Sequence, residues 1–95
     1  MPKLPDEIID LSVANAPKHV TQVKAAADNP TKLVFASHVF RGMSLNLGAS
    51  RLGAICQEIE TVANSGSTSG VPALVVEMDR TVDLTLAEFR KLRES

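Results

Sequence analysis

Apolar residues recur every three or four positions along most of this chain. The runs are interrupted at Asn15-Ala16-Pro17, Asp28-Asn29-Pro30, Gly48 and Ser65-Gly-Ser-Thr-Ser-Gly70. Such spacing puts side chains on one face of an α-helix, whereas a half-buried strand needs strict alternation, which no stretch of sufficient length provides. The expected class is therefore all-α. A short first helix should begin near Pro5-Asp6-Glu7, where proline suits the first turn and the acids suit the positive end of the helix dipole. Asn15-Ala16-Pro17 repeats that kind of start, so a break there should lead into a second helix carrying Val20, Val23 and Ala27. A third helix is expected from Pro30 to Leu47, stopped by Gly48, with Leu33, Ala36, Phe40, Met43 and Leu47 as its core stripe. A fourth should run from Ala49 to Asn64 on Leu52, Ile55, Cys56, Ile59 and Val62. Residues 65–70 have the composition of a flexible loop, and Val71, Val75, Met78, Val82, Phe89 and Leu92 mark a long last helix. Short connections favour antiparallel neighbours. The expectation is an up-and-down antiparallel four-helix bundle with a short additional N-terminal helix.

Composition narrows the function classes. A chain of 95 residues fits one small domain, taken as residues 1–95, and its core must be aliphatic because there is no Trp or Tyr and only three Phe. The formal net charge is −1, with no basic run and no aromatics interleaved with cations, so the footprint of a nucleic-acid binder is missing. A single cysteine, Cys56, cannot form an internal disulfide and reads as a small core residue. Neither a membrane span nor a signal peptide is visible, so the expected setting is reducing and cytoplasmic, without direct membrane insertion. His19, His38 and Cys56 lack zinc-site spacing, and no metal or other cofactor is expected on this chain. His19, Glu58 and the charges around Arg90-Lys-Leu-Arg93 read as solvated faces.

The stretch ASHVFRGMSLNLGA, residues 36–49, departs from an ordinary helix face. At roughly 100° per residue, His38 points away from the core stripe, with Arg41 and Gly42 within a turn on the same side. Thr31, Val34 and Leu45 extend that side in both directions. A glycine inside a helix costs about 1 kcal/mol relative to alanine, and a return for that cost is room for another molecule to approach the imidazole. Imidazole is a competent nucleophile near neutral pH, because the free group has a pKa of about 6.5. A guanidinium one turn away can hold phosphoryl oxygens through charge-assisted hydrogen bonds. The set fits phosphoryl acceptance. There is no glycine-rich phosphate cradle and no acidic cluster for magnesium, so no kinase activity of its own is expected.

His38-Val-Phe-Arg41-Gly42, followed by Leu47-Gly48-Ala49, Leu52, Cys56 and Ile59-Glu60, resembles the histidine-containing phosphotransfer (HPt) domain of two-component phosphorelays. The likeness is strong over residues 30–62, extends to the two preceding helices with Pro17, and is carried by length and polarity alone in the last helix. The resemblance implies that His38 attacks the aspartyl-phosphate of a response-regulator receiver domain through Nε2, holds the group, and passes it to another receiver. Arg41 then stands where lysine is usual and steadies the phosphoryl oxygens, Gly42 gives access, and Glu60 hydrogen-bonds the other imidazole nitrogen. Met43 replaces a more usual serine or alanine at a position that periodicity assigns to the core. Magnesium is expected in the partner receiver and not here.

Further expectations concern partners. Thr31, Val34 and Leu45, widened by Ile8, Ile9 or Leu11 of the first helix, are assigned to docking the receiver. The chain is expected to be monomeric, and either free-standing or, by preference, the C-terminal module of a hybrid sensor kinase, which places it on the cytoplasmic side of a membrane-bound protein. The competing class is an adaptor with the same fold that docks a receiver or other signalling protein without carrying phosphate. The two readings part at His38, which an adaptor can lose and a carrier cannot.

Overall fold

The computed structural model describes the backbone of residues 6–94 and the side chains of residues 14–91, and within that range it is all-helical. Helix α1 spans Asp6–Ala25, α2 Pro30–Asn46, α3 Ser50–Asn64 and α4 Val71–Glu94. Packing runs around a ring, α1 on α2, α2 on α3, α3 on α4 and α4 on α1, and among the described residues the diagonal pairs stand further apart. The cross-helix partners fix the directions. Gly53 meets Leu45 where α3 begins and α2 ends, while Glu60, further along α3, meets His38 and Arg41 earlier in α2, so α2 and α3 are antiparallel. The Lys24–Asp79 ion pair and the proximity of Ala16 to Phe89 set α1 against α4 in the same sense. The result is an up-and-down antiparallel bundle about 43 Å long and 19 Å by 18 Å across.

One expectation is corrected. The short additional N-terminal helix and the helix after Pro17 are a single helix, α1, with Pro17 inside it. Ala16, Val20 and Val23 are buried at steps of four and three, so the core stripe passes the proline without changing phase. Pro17 itself faces solvent, where the carbonyl that lost its amide partner can be hydrated. Packing on one side outweighs the missing hydrogen bond. The side chains of Ile8, Ile9 and Leu11 lie outside the described residues.

The ends of α2 follow from its sequence. Asn29 caps the start, its side chain accepting from the Lys32 amide at 3.2 Å, and Pro30 takes the first helical position, where an N–H has no partner anyway. At the other end Gly48 adopts φ +77°, a conformation costly for residues with a Cβ. That turn lets Ala49 N–H reach Ser44 O at 2.8 Å and Gly48 N–H reach Leu45 O at 3.1 Å, closing the helix in a Schellman arrangement. The termini hold α2 in one rotational setting, and that setting decides which face is presented to solvent.

Leu33, Phe40, Cys56, Ile59, Val71, Met78 and Val23 are fully buried at the centre. Burying each large aliphatic or aromatic side chain contributes about 1.5–3 kcal/mol. The buried stripe of α2 is Leu33, Ser37, Phe40 and Ser44, rotated slightly from the expected one, and Ala36, Met43 and Leu47 flank it half-buried. Both serine hydroxyls donate back into their own helix, to Leu33 O at 2.6 Å and Phe40 O at 2.7 Å, so their burial leaves no donor unsatisfied. Small residues here bring α3 close. Gly53 is buried beneath Leu45, and a Cβ on it would stand 2.8 Å from Leu45 Cδ2.

Candidate functional site

The antiparallel register of α2 and α3 brings together three side chains separated by many residues in the chain. His38 projects from α2 with its side chain 59% exposed, whereas Glu60 on α3 is only 12% exposed, wedged beside buried Ile59 at the edge of the interface. Arg41, one turn after His38, bridges them. Its Nε donates to Glu60 Oε1 at 3.1 Å, and its Nη2 lies 3.1 Å from His38 Nδ1. Glu60 Oε2 and Oε1 lie 3.2 Å and 3.3 Å from the same Nδ1. Every hydrogen bond of the imidazole among the described residues falls on Nδ1, leaving Nε2 without a protein partner.

This arrangement suits a nucleophile. A carboxylate beside one ring nitrogen fixes the ring plane and stabilises positive charge that grows on the imidazole as the other nitrogen attacks. The guanidinium sits where it can turn to an oxyanion arriving at the ring. Gly42 is exposed, and a Cβ built on it meets nothing within 4 Å, so the space above this part of α2 is open. Beneath the site, Cys56 is fully buried and its thiol is pushed up to about 12, chiefly by burial, with the Arg41 guanidinium opposing and Glu60 adding to the shift. It is a packing residue there.

The flanking residues divide. Leu45 is half-exposed and lies across Gly53. Thr31 is exposed, and Val34 is half-buried against the core beside Ala63, at the end of the bundle where α2 begins and α3 ends. Beside Leu45, two further exposed apolar residues near His38 are ones that sequence reasoning passed over, Phe35 at 73% and Val39 at 39%. With Gln22, Ala25, Ala26, Lys32 and Ala36 they line an open groove between α1 and α2. The signal for them was present: Val34, Phe35 and Ala36 are consecutive, and three neighbours on a helix cannot all face the core.

His19 also differs from its expectation as a solvated residue. It is half-buried on α1, and its ring stacks on Phe40 of α2 with centroids 5.2 Å apart and planes 15° from parallel. Its Nδ1 is buried without a hydrogen-bond partner, and burial, followed by the neighbouring Lys18 charge, lowers its pKa from 6.5.

Among the described residues no group of three or more His, Cys, Asp or Glu is placed to hold a metal ion, and no helix is long and apolar enough to cross a membrane. A significant match is found neither among curated proteins nor among solved structures. The family model described as Hpt domain matches residues 7–91, which takes in nearly all of the bundle and both helices of the His38 site. The chain therefore belongs to the Hpt family, the histidine-containing phosphotransfer domains of phosphorelays.

Proposed function

We propose that His38 is the phosphoryl acceptor of this domain, taking the group from a receiver-domain aspartate and passing it to another receiver. The observation that carries the reading is the exposed imidazole whose Nδ1 is engaged by Glu60 and Arg41 while Nε2 has no protein partner. In the forward step the Nε2 lone pair forms the N–P bond as the P–O bond of the aspartyl-phosphate breaks, its electron pair leaving with the receiver's carboxylate. The ring gains a positive charge. Glu60, within 3.3 Å of Nδ1 and mostly screened from water, stabilises that charge, so the bond strengthens as transfer proceeds. Arg41 meets the phosphoryl oxygens, which carry most of the negative charge in such a transfer. Gly42 leaves the approach to the ring open, and Phe35, Val39 and Leu45 supply an apolar surface around it for the receiver to cover.

Reversal requires only that a second receiver present an aspartate along the same line. Phosphohistidine and aspartyl-phosphate are both high-energy species, so the carrier stores the group without trapping it.

The test is transfer of label from a panel of phosphorylated receiver domains to the purified chain, with His38→Gln alongside. The expected result is an acid-labile, alkali-stable label on the wild type and none on the variant, which should melt at nearly the same temperature because His38 is exposed. Receiver binding without label on the wild type would replace the carrier with a docking adaptor.

A further inference from the structure

Nδ1 of His38 has more partners than one ring nitrogen can serve. Two Glu60 oxygens, which only accept, lie 3.2 Å and 3.3 Å away, and Arg41 Nη2, which only donates, lies 3.1 Å away. A nitrogen of a neutral imidazole either carries a proton or offers a lone pair, along one in-plane direction. With the proton on Nδ1, Glu60 is satisfied and the guanidinium N–H faces another N–H. With the proton on Nε2, Arg41 is satisfied and the carboxylate faces a lone pair. The two hydrogen bonds are mutually exclusive. Arg41 can serve either state without leaving the site, because its Nε holds Glu60 Oε1 at 3.1 Å independently of Nη2.

The tautomer decides whether the ring can react, since a proton on Nε2 occupies the lone pair that attack requires. We propose that Arg41, besides meeting the phosphoryl oxygens, gates the reactive tautomer of His38. Docked on Nδ1, the guanidinium keeps the proton on Nε2 and the ring idle. An arriving phosphoryl group draws Nη2 onto its oxygens; the proton leaves Nε2 to water, another joins Nδ1 from water, and Nδ1–H then donates to Glu60. The same negative charge that needs neutralising thereby releases the nucleophile, and a ring with no phosphoryl group before it stays protected from chance reaction. The inference deepens the reading of His38 as acceptor and rests on it.

The proton position can be read directly. Long-range 1H–15N correlations of the imidazole in the 15N-labelled full chain, at mildly alkaline pH and without any phosphoryl donor, show which nitrogen is protonated, the His38 signals being assigned by their loss in His38→Gln. The expected result is a majority of Nε2–H in the wild type and a majority of Nδ1–H in Arg41→Met. Arg41→Lys, whose single ammonium cannot fork between Glu60 and the ring, should shift the same way. A majority of Nδ1–H in the wild type, or an unchanged tautomer in Arg41→Met with its fold intact, would overturn the gate. Because no donor is present, that outcome leaves the carrier reading standing, whereas failure to label His38 from any receiver would count against the carrier reading itself.

Discussion

Gly42 sits in the middle of a helix with open space where its side chain would be, and this separates its effect on stability from its effect on approach. Gly42→Ala should stabilise the domain by up to about 1 kcal/mol, since alanine restricts the unfolded chain and meets no clash. Gly42→Gln should keep part of that gain and slow phosphoryl transfer several-fold by standing in the path to the ring. Melting temperature and transfer rate measured on both variants check the pair of effects, and undiminished transfer in the glutamine variant would remove access as the reason for the glycine. His38, Arg41 and Gly42 were legible from the sequence because they share one helix, whose pitch fixes their relative directions. Glu60 was not legible on that basis: nothing in helical periodicity says which residue of a following helix will stand opposite, and it was found through the resemblance to a family pattern. The competition for Nδ1 was invisible for the same reason, since it depends on distances across the interface.

At the scale of the helices, α2 carries His38, Arg41 and Gly42, and its rotation is set by Phe40 on one side and by the Asn29 and Gly48 ends. The sequence placed both ends and the core centre, and it misplaced the flanks because Ser37 and Ser44 are polar by composition yet satisfy themselves within the helix. Pro17 misled for a related reason: a local breaker was overridden by a continuous packed stripe on α1. The α1–α2 contact includes the His19–Phe40 stack, and it makes a pH-dependent contribution. Folding lowers the His19 pKa from 6.5, so the unfolded chain binds more protons in the interval between the two values. The stability due to the neutral ring is fully present above the unfolded value and is lost as pH falls below it. Denaturant midpoints from about pH 7.5 to about pH 5 should therefore drop further for the wild type than for His19→Phe, which keeps the stack and cannot titrate. Parallel curves would show that the buried ring accepts a proton without cost.

Over the whole molecule, four antiparallel helices in a ring give a rod with the His38 site on its outer surface, close to an apolar groove. Fold class and helix order followed from periodicity because a bundle of this size is built from local patterns joined by short turns. The groove at Phe35 and Val39 did not, since it is a property of two helices and of what neither covers. On the proposed function such a shape presents a nucleophile to a partner's active site instead of enclosing a substrate, and the central claim is that the nucleophile is one atom, Nε2 of His38. The most direct measurement is to phosphorylate the 15N-labelled chain with phosphoramidate and observe, at alkaline pH, which histidine nitrogen couples to phosphorus. The account predicts coupling to Nε2 of His38 alone. Coupling to Nδ1 of His38, or to either nitrogen of His19, would contradict it.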